Sequence, residues 1–85
     1  MTRYLVLWDH WSGKSAAVQV REDLKSGVFQ DFGIFATTGR GYVIVSARDE
    51  VELLKIINRY REFGVRCTSA EPALSLDEYL KALPS

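Results

Sequence analysis

The strongest candidates for chemistry stand at the end of the first predicted strand. Trp8, His10 and Trp11 follow one another closely, and His10 is the only histidine of the chain. Histidine changes charge near neutral pH without help from its surroundings, so it can act as a general acid or base. Packing of His10 against the neighbouring aromatic rings is the simpler interpretation. His10 is therefore the candidate catalytic residue, and both roles stay open.

Two further motifs resemble parts of catalytic or phosphate-binding sites. Each depends on a second residue that the sequence does not place beside it. Ser12-Gly13-Lys14-Ser15 resembles the end of a phosphate-binding loop, yet Trp8 stands where the first glycine of that loop belongs. Cys67 is the only cysteine, and as a nucleophile it would need His10 beside it. A small buried side chain is the simpler interpretation of Cys67. A single histidine without clustered carboxylates also predicts no metal site and no cofactor.

Length and composition limit the classes of function. The 85 residues form one predicted domain, residues 1–85, with 47% hydrophobic and 26% charged residues. Eleven basic and eleven acidic side chains are interspersed, so no nucleic-acid partner is expected. The apolar run Tyr4–Trp8 is too short for a signal peptide or a membrane span. A cytoplasmic protein without a membrane partner is expected.

Hydrophobic periodicity divides the chain into seven elements. Asp49 with Glu52, and Ser75 with Glu78, have the spacing of capping boxes that begin helices, and Gly64 is placed to end the first of these helices. The predicted elements are a strand at Tyr4–Trp8, a helix at Ser15–Lys25, strands at Val28–Thr37 and Tyr42–Ala47, a helix at Asp49–Phe63, a strand at Val65–Ser69 and a short helix at Leu76–Leu83.

Two segments within this pattern have special features. The alternation from Val18 to Arg21 would also suit a strand, although the helix is preferred there. Gly33 lies inside a strand, which indicates a bulge or a close approach by another backbone. Residues 38–41 have turn chemistry, so the second and third strands are expected to form an antiparallel hairpin.

The order of elements predicts an α+β fold. It is the βαββαβ pattern of a ferredoxin-like sandwich with an extra C-terminal helix, and the first and third strands are expected at the centre of an antiparallel sheet. Alternation along each strand then assigns side chains to two faces. The face towards the helices is assigned Leu5, Leu7, Val43, Val45, Val65 and Cys67, and the opposite face Tyr4, Val6, Trp8, Tyr42 and Ile44.

Three stretches carry a resemblance to a known family. They are the strand Tyr4–Trp8, the strand at 41–45 with the helix start at Asp49, and Pro72 followed by residues 75–80. In these stretches the chain resembles a family of small uncharacterised proteins in the dimeric α+β-barrel group. Two positions depart from the family pattern. Phe35-Ala36 stands where a Trp-His pair ends the second strand, and Tyr60 stands where a tryptophan lies late in the long helix.

The resemblance implies a homodimer with a site between the sheet and its partner. Members of the superfamily include isomerases and oxygenases, some of them haem-dependent and others free of cofactors. On that resemblance a small apolar or aromatic ligand would be lined by Tyr4, Trp8, His10, Tyr42, Arg66 and Thr68.

Two functions follow, and whether the chain is an enzyme stays open. The preferred function is a protein-interaction or regulatory module that uses the face of its sheet. The alternative is a small-molecule enzyme of the isomerase or oxygenase type. Because an apolar sheet face needs cover, a homodimer is expected, unless residues 75–83 fold back across the sheet.

Overall fold

The computed structural model describes residues 1–9 and 14–84, and it has the predicted α+β architecture. His10, Trp11, Ser12 and Gly13 lie outside the described residues, as does Ser85. Within the described residues a four-stranded antiparallel sheet and three helices follow the order βαββαβα. The elements are β1 (Thr2–Asp9), α1 (Lys14–Ser26), β2 (Phe29–Ile34), β3 (Gly41–Ala47), α2 (Glu50–Arg61), β4 (Arg66–Pro72) and α3 (Leu76–Ala82).

The strands lie side by side in the order β2-β3-β1-β4. β1 pairs with β3 from Thr2 opposite Ala47 to Trp8 opposite Gly41. β4 pairs only with β1 and is longer than predicted, because an edge strand can accept Pro72 at its end, where the missing N–H is not needed. β2 ends at Ile34, three residues earlier than predicted, and the chain turns back to β3 through residues 35–40.

The ends of α2 follow the sequence signals with one difference. The carboxylate of Asp49 accepts a hydrogen bond from the Glu52 amide at 2.9 Å, which confirms the predicted cap. The Glu52 carboxylate binds Arg48 instead of reaching back to Asp49, since it accepts from both the amide and the guanidinium of Arg48. Gly64 has a φ of 83° and ends the helix as expected.

α1 and α2 both lie on one face of the sheet, and the core is between them and the strands. The face opposite the helices is called the open face from here on. Hydrophobic residues buried in the core are Tyr4, Val6, Trp8, Ala16, Val20, Phe29, Val43, Val45, Ala47, Leu53, Ile56, Ile57, Tyr60 and Val65.

The predicted faces are correct for β3 and wrong for β1. Val43 and Val45 face the helices, but the β1 residues opposite them are Val6 and Tyr4, which are buried with them. Leu5 and Leu7 are each 36% exposed and lie on the open face. β1 is apolar on both sides, so the alternation of its residues does not tell which set of side chains faces the helices. Pairing with β3 decides the question, and the larger aromatic side chains of Tyr4 and Trp8 enter the core.

A buried carboxylate joins α1 to α2. Asp23 is 4% exposed, and its Oδ2 accepts a hydrogen bond from the Tyr60 hydroxyl at 2.6 Å. Gln19 donates to its other oxygen at 3.2 Å, and the Arg59 guanidinium lies 3.6 Å away. Burial, and then the bond to Asp23, raise the pKa of Tyr60 far above its ordinary value. The pair holds the two helices in register from inside the core.

We expect Tyr60→Phe to lower the free energy of unfolding by about 1–3 kcal/mol at pH 7, because Asp23 loses its shortest hydrogen bond. Urea denaturation measures the change. Thr37→Val is the control, since it removes a hydroxyl group from an exposed residue between β2 and β3. Equal stability of wild type and Tyr60→Phe would contradict a stabilising hydrogen bond between Tyr60 and Asp23.

The same pair predicts a pH dependence. The folded chain keeps the Tyr60 proton to higher pH than the unfolded chain does, so stability falls as pH rises above about 10. Tyr60→Phe lacks this contribution, and its stability deficit relative to wild type should shrink above that pH.

Candidate interaction surface

The open face has an apolar centre formed by the two middle strands. Leu5 lies opposite Ile44 and Leu7 lies opposite Tyr42, so the four side chains are neighbours across the β1–β3 pair. Ile44 and Tyr42 are partly exposed, as are the two leucines. The name apolar centre is used below for Leu5, Leu7, Tyr42 and Ile44.

Tyr42 lies over the neighbouring strand. Its hydroxyl donates to Asp31 Oδ2 at 2.9 Å, and its ring lies where a side chain at position 33 would stand. This explains Gly33, for which a bulge or a close backbone approach was expected. The irregularity in the pairing of β2 with β3 lies between Phe29 and Asp31 instead. The bond to Asp31 raises the pKa of Tyr42, so its hydroxyl stays protonated at neutral pH.

Polar residues surround the apolar centre. Arg66 lies opposite Asp9 at one end of the β1–β4 pair, and its guanidinium makes two hydrogen bonds of 2.9 Å to the carboxylate. The bond to Asp9 raises the pKa of Arg66. The register places the rest of this rim on the open face as well: Arg3, Asp31, Ser46, Ser69 and Glu71.

The residues predicted to line a ligand site are divided by the sheet. Tyr42 and Arg66 lie on the open face, whereas Tyr4 and Trp8 are buried against the helices. The predicted common face for these side chains is therefore wrong.

The two remaining residues predicted to line the site are Thr68 and His10. Thr68 lies at a bulge of β4, and its hydroxyl donates to the Leu7 carbonyl at 3.2 Å. His10 lies outside the described residues, so its catalytic role and its pairing with Cys67 stay predictions.

The core contains a small apolar cavity beside Trp8 and Cys67. Its volume is about 40 Å³, and Phe32, Ile57 and Val65 contribute to its wall. Burial raises the pKa of the Cys67 thiol, which disfavours the nucleophilic thiolate at neutral pH. This agrees with Cys67 as a small packed side chain. The cavity is large enough for little more than a water molecule, and its wall is almost entirely apolar.

α3 carries a second apolar surface that the fold leaves uncovered. Its N-terminus has the complete capping box, in which the Ser75 hydroxyl accepts from the Glu78 amide and the Glu78 carboxylate accepts from the Ser75 amide. The hydrogen bonds between Glu78 and Ser75, first the one from the Ser75 backbone amide, lower the pKa of Glu78. None of the residues of α3 is buried. The competing prediction, in which this segment covers the open face of its own sheet, is therefore wrong for the chain as described.

A contact with β1 holds the base of α3. The Arg3 guanidinium donates to Glu78 Oε1 at 3.1 Å, and the Ala73 amide donates to the Arg3 carbonyl at 2.8 Å. Arg3 is the only charged side chain in the sequence before Asp9, but no local pattern pairs it with a residue 75 positions away. No spacing in the sequence indicates this contact, and none indicates the hydrogen bond between Asp23 and Tyr60.

Residues 1–9 and 14–84 contain no cluster of three or more histidine, cysteine, aspartate or glutamate side chains that could hold a metal ion. In the same ranges, no helix has both the length and the apolar character required to cross a membrane.

Comparison of the chain with protein-family models, with curated proteins and with solved structures yields no match. The resemblance to the dimeric α+β-barrel group stays a prediction.

Proposed function

We propose that this chain is a ferredoxin-like protein-interaction module, and that it forms a homodimer through the open face of its sheet. The observation that carries the proposal is the position of the helices. α1 and α2 lie on one face, while Leu5, Leu7, Tyr42 and Ile44 stay accessible on the other. Apolar side chains that adjoin one another on a sheet face mark a surface for association.

Charge supports a second copy as the partner. The formal net charge is zero, so two copies do not repel each other as whole molecules. The rim around the apolar centre contains both Arg3 and Glu71. A two-fold axis brings the same surface of each copy together, so a rim with both signs can complement itself.

The polar groups of the open face favour binding over catalysis. Tyr42 donates to Asp31, and Arg66 is bound by Asp9. Both interactions favour the protonated forms of Tyr42 and Arg66, so neither side chain is prepared to act as a base at neutral pH. The aromatic residues Tyr4 and Trp8, which the enzyme hypothesis requires at the site, are buried on the other side.

We expect the wild-type chain to have twice its monomer mass of 9.6 kDa in light scattering on a size-exclusion column at micromolar concentration. Leu7→Glu puts a charge in the apolar centre and should weaken the dimer about 100-fold or more, because the carboxylate would be buried without a partner. Val18→Glu is the matched control, since Val18 is exposed on α1 on the opposite side of the sheet. A wild-type mass of 9.6 kDa would refute the proposal.

A further inference from the structure

The C-terminal segment exposes most of its large apolar side chains. The arm is defined as residues 73–83, which comprise α3 and its flanking residues. Its large apolar side chains are 45–71% exposed, and they are Leu74, Leu76, Tyr79, Leu80 and Leu83. At about 100° of rotation per residue, the four from Leu76 to Leu83 fall within an arc of about 100° on one side of the helix. They are called the stripe below.

The contact with β1 is made by the side of α3 that lies opposite the stripe. Glu78, which binds Arg3, lies about 150° around the helix from the centre of the stripe. The polar side of α3 is thus the side held to its own chain. To cover its own open face, the helix would have to break the Arg3–Glu78 ion pair and rotate.

A helix of this length also needs a surface to pack on. α3 has seven residues, and helices shorter than about 12–15 residues are marginal in water without tertiary contacts. The capping box stabilises only its first turn. Burial of the stripe would supply the missing stabilisation.

We propose that the arm of each chain docks its stripe on the open face of a second copy, so that the two chains exchange arms. This inference rests on the homodimer proposed above and specifies how it is built. Each copy supplies one stripe and one apolar centre, so a two-fold arrangement covers all four apolar surfaces with two identical contacts.

The dimensions of the two surfaces agree. From Leu76 to Leu83 the stripe is about 10 Å long. The apolar centre covers two strands about 5 Å apart, and Leu5 and Leu7 are separated by about 7 Å along β1. With about half of five large apolar side chains exposed, one arm presents on the order of 400 Å². If each arm covers an equal area of apolar centre and rim on the receiving face, the two contacts together bury on the order of 1,600 Å², the area of a stable specific interface.

Charges beside the stripe fit the rim of the open face. Asp77 and Lys81 follow the stripe on the side of Leu80, at about 100° and 140° around the helix from Leu76. Glu71 and Asp31 lie at opposite edges of the open face, and Arg3 lies between them. An arm laid across the sheet can therefore bring Lys81 near a carboxylate and Asp77 near a guanidinium.

Disulfide cross-linking between two single-cysteine variants tests the exchange. Both are made in the Cys67→Ser background, which removes the only cysteine. One carries Leu7→Cys on the open face, and the other carries Leu80→Cys on the stripe with a mass tag. The two are mixed, allowed to re-equilibrate, oxidised and separated on a non-reducing gel. We expect the mixed disulfide dimer to exceed either homodimer several-fold.

The geometry explains that preference. A disulfide requires Cα atoms within about 7 Å. If the arms lie between the two sheets, position 7 of one copy is about 10 Å or more from position 7 of the other, because a helix layer separates them. Position 80 of one arm and position 7 of the receiving face are in contact. Leu7→Cys dimers that form efficiently without the second variant would show direct packing of the two faces, which overturns the exchange but leaves the proposed homodimer intact.

A double variant, Leu7→Cys with Leu80→Cys in the same background, separates the remaining outcomes. Exchange predicts covalent dimers linked by two bonds. A monomer with an internal disulfide would show that the arm folds onto its own sheet, and this overturns the inference. If wild type has the monomer mass in light scattering, the homodimer and the exchange both fail.

Substitutions in the arm provide a second measurement that does not depend on cysteine chemistry. Leu80→Glu should weaken the dimer about 100-fold or more. Ala82→Glu, on the polar side of the same helix, should leave the dissociation constant within about 3-fold. Folding is not at risk in either variant, because α3 has no buried residue. Equal dissociation constants for the two variants would overturn the exchange.

Discussion

Gly41→Ala should be among the most destabilising single-methyl additions in this chain. A Cβ atom at position 41 would lie closer than 3.0 Å to the carbonyl oxygen of Gly33 and to the indole ring of Trp8. Neither obstacle can yield easily, because one is backbone in the neighbouring strand and the other is a buried side chain stacked on Phe32. We expect a loss of about 3 kcal/mol or more, at the upper end of what overpacking costs.

Thermal unfolding at fixed protein concentration measures this loss, which corresponds to a Tm lower by on the order of 10 °C or more. Gly33→Ala is the matched control, since the same methyl group is added on the adjacent strand. Its Cβ atom meets the ring of Tyr42, which is only partly buried and can rotate away. Gly33→Ala should therefore cost much less. An equal loss in both variants would contradict the distinction between a backbone obstacle and a movable ring.

Local signals in the sequence were sufficient to predict the elements and their order. Asp49, Gly64 and Ser75 each determine a helix end through a hydrogen bond or a backbone conformation that involves only nearby residues. Such contacts can be read from spacing alone. The ends of β2 and β4 were less predictable, because a strand ends where its pairing ends, and pairing depends on residues distant in sequence.

The inward side of β1 was not predictable from β1 itself. Every residue from Tyr4 to Trp8 is apolar, so alternation divides the strand into two sets without telling which one is buried. The register with β3 decides it, because Tyr4 lies opposite Val45. A prediction that paired β1 with β3 before assigning faces would have placed Tyr4 and Trp8 correctly.

The candidate surface was half predictable. Tyr42 and Ile44 were expected on the open face, and they lie there with Leu5 and Leu7 in place of Tyr4 and Trp8. The amphipathic pattern of α3 was also predicted from the sequence. What the sequence did not reveal is the ion pair between Arg3 and Glu78, through which the polar side of α3 contacts β1.

The two uncovered surfaces have a common origin in the placement of the helices. α1 and α2 cover one side of the four-stranded sheet, and the helix that follows β4 has only seven residues. Held by its polar side, that helix adds a second uncovered surface instead of covering the first. Association of two copies resolves both, which is why the proposed dimer and the proposed exchange of arms belong to one arrangement.

Ile57→Ala should lower the free energy of unfolding by about 2–5 kcal/mol, as large-to-small changes in packed cores do. Ile57 is 8% exposed on α2 and forms part of the wall of the cavity beside Trp8, so the truncation enlarges a space that is already incompletely filled. Leu54→Ala on the same helix is the control, because Leu54 is 51% exposed and should lose less than about 1 kcal/mol. Urea denaturation of the three proteins at one concentration makes the comparison. If Ile57→Ala unfolded at the wild-type midpoint, α2 could not present this side chain to the core, and the division of the sheet into a covered and an open face would be wrong.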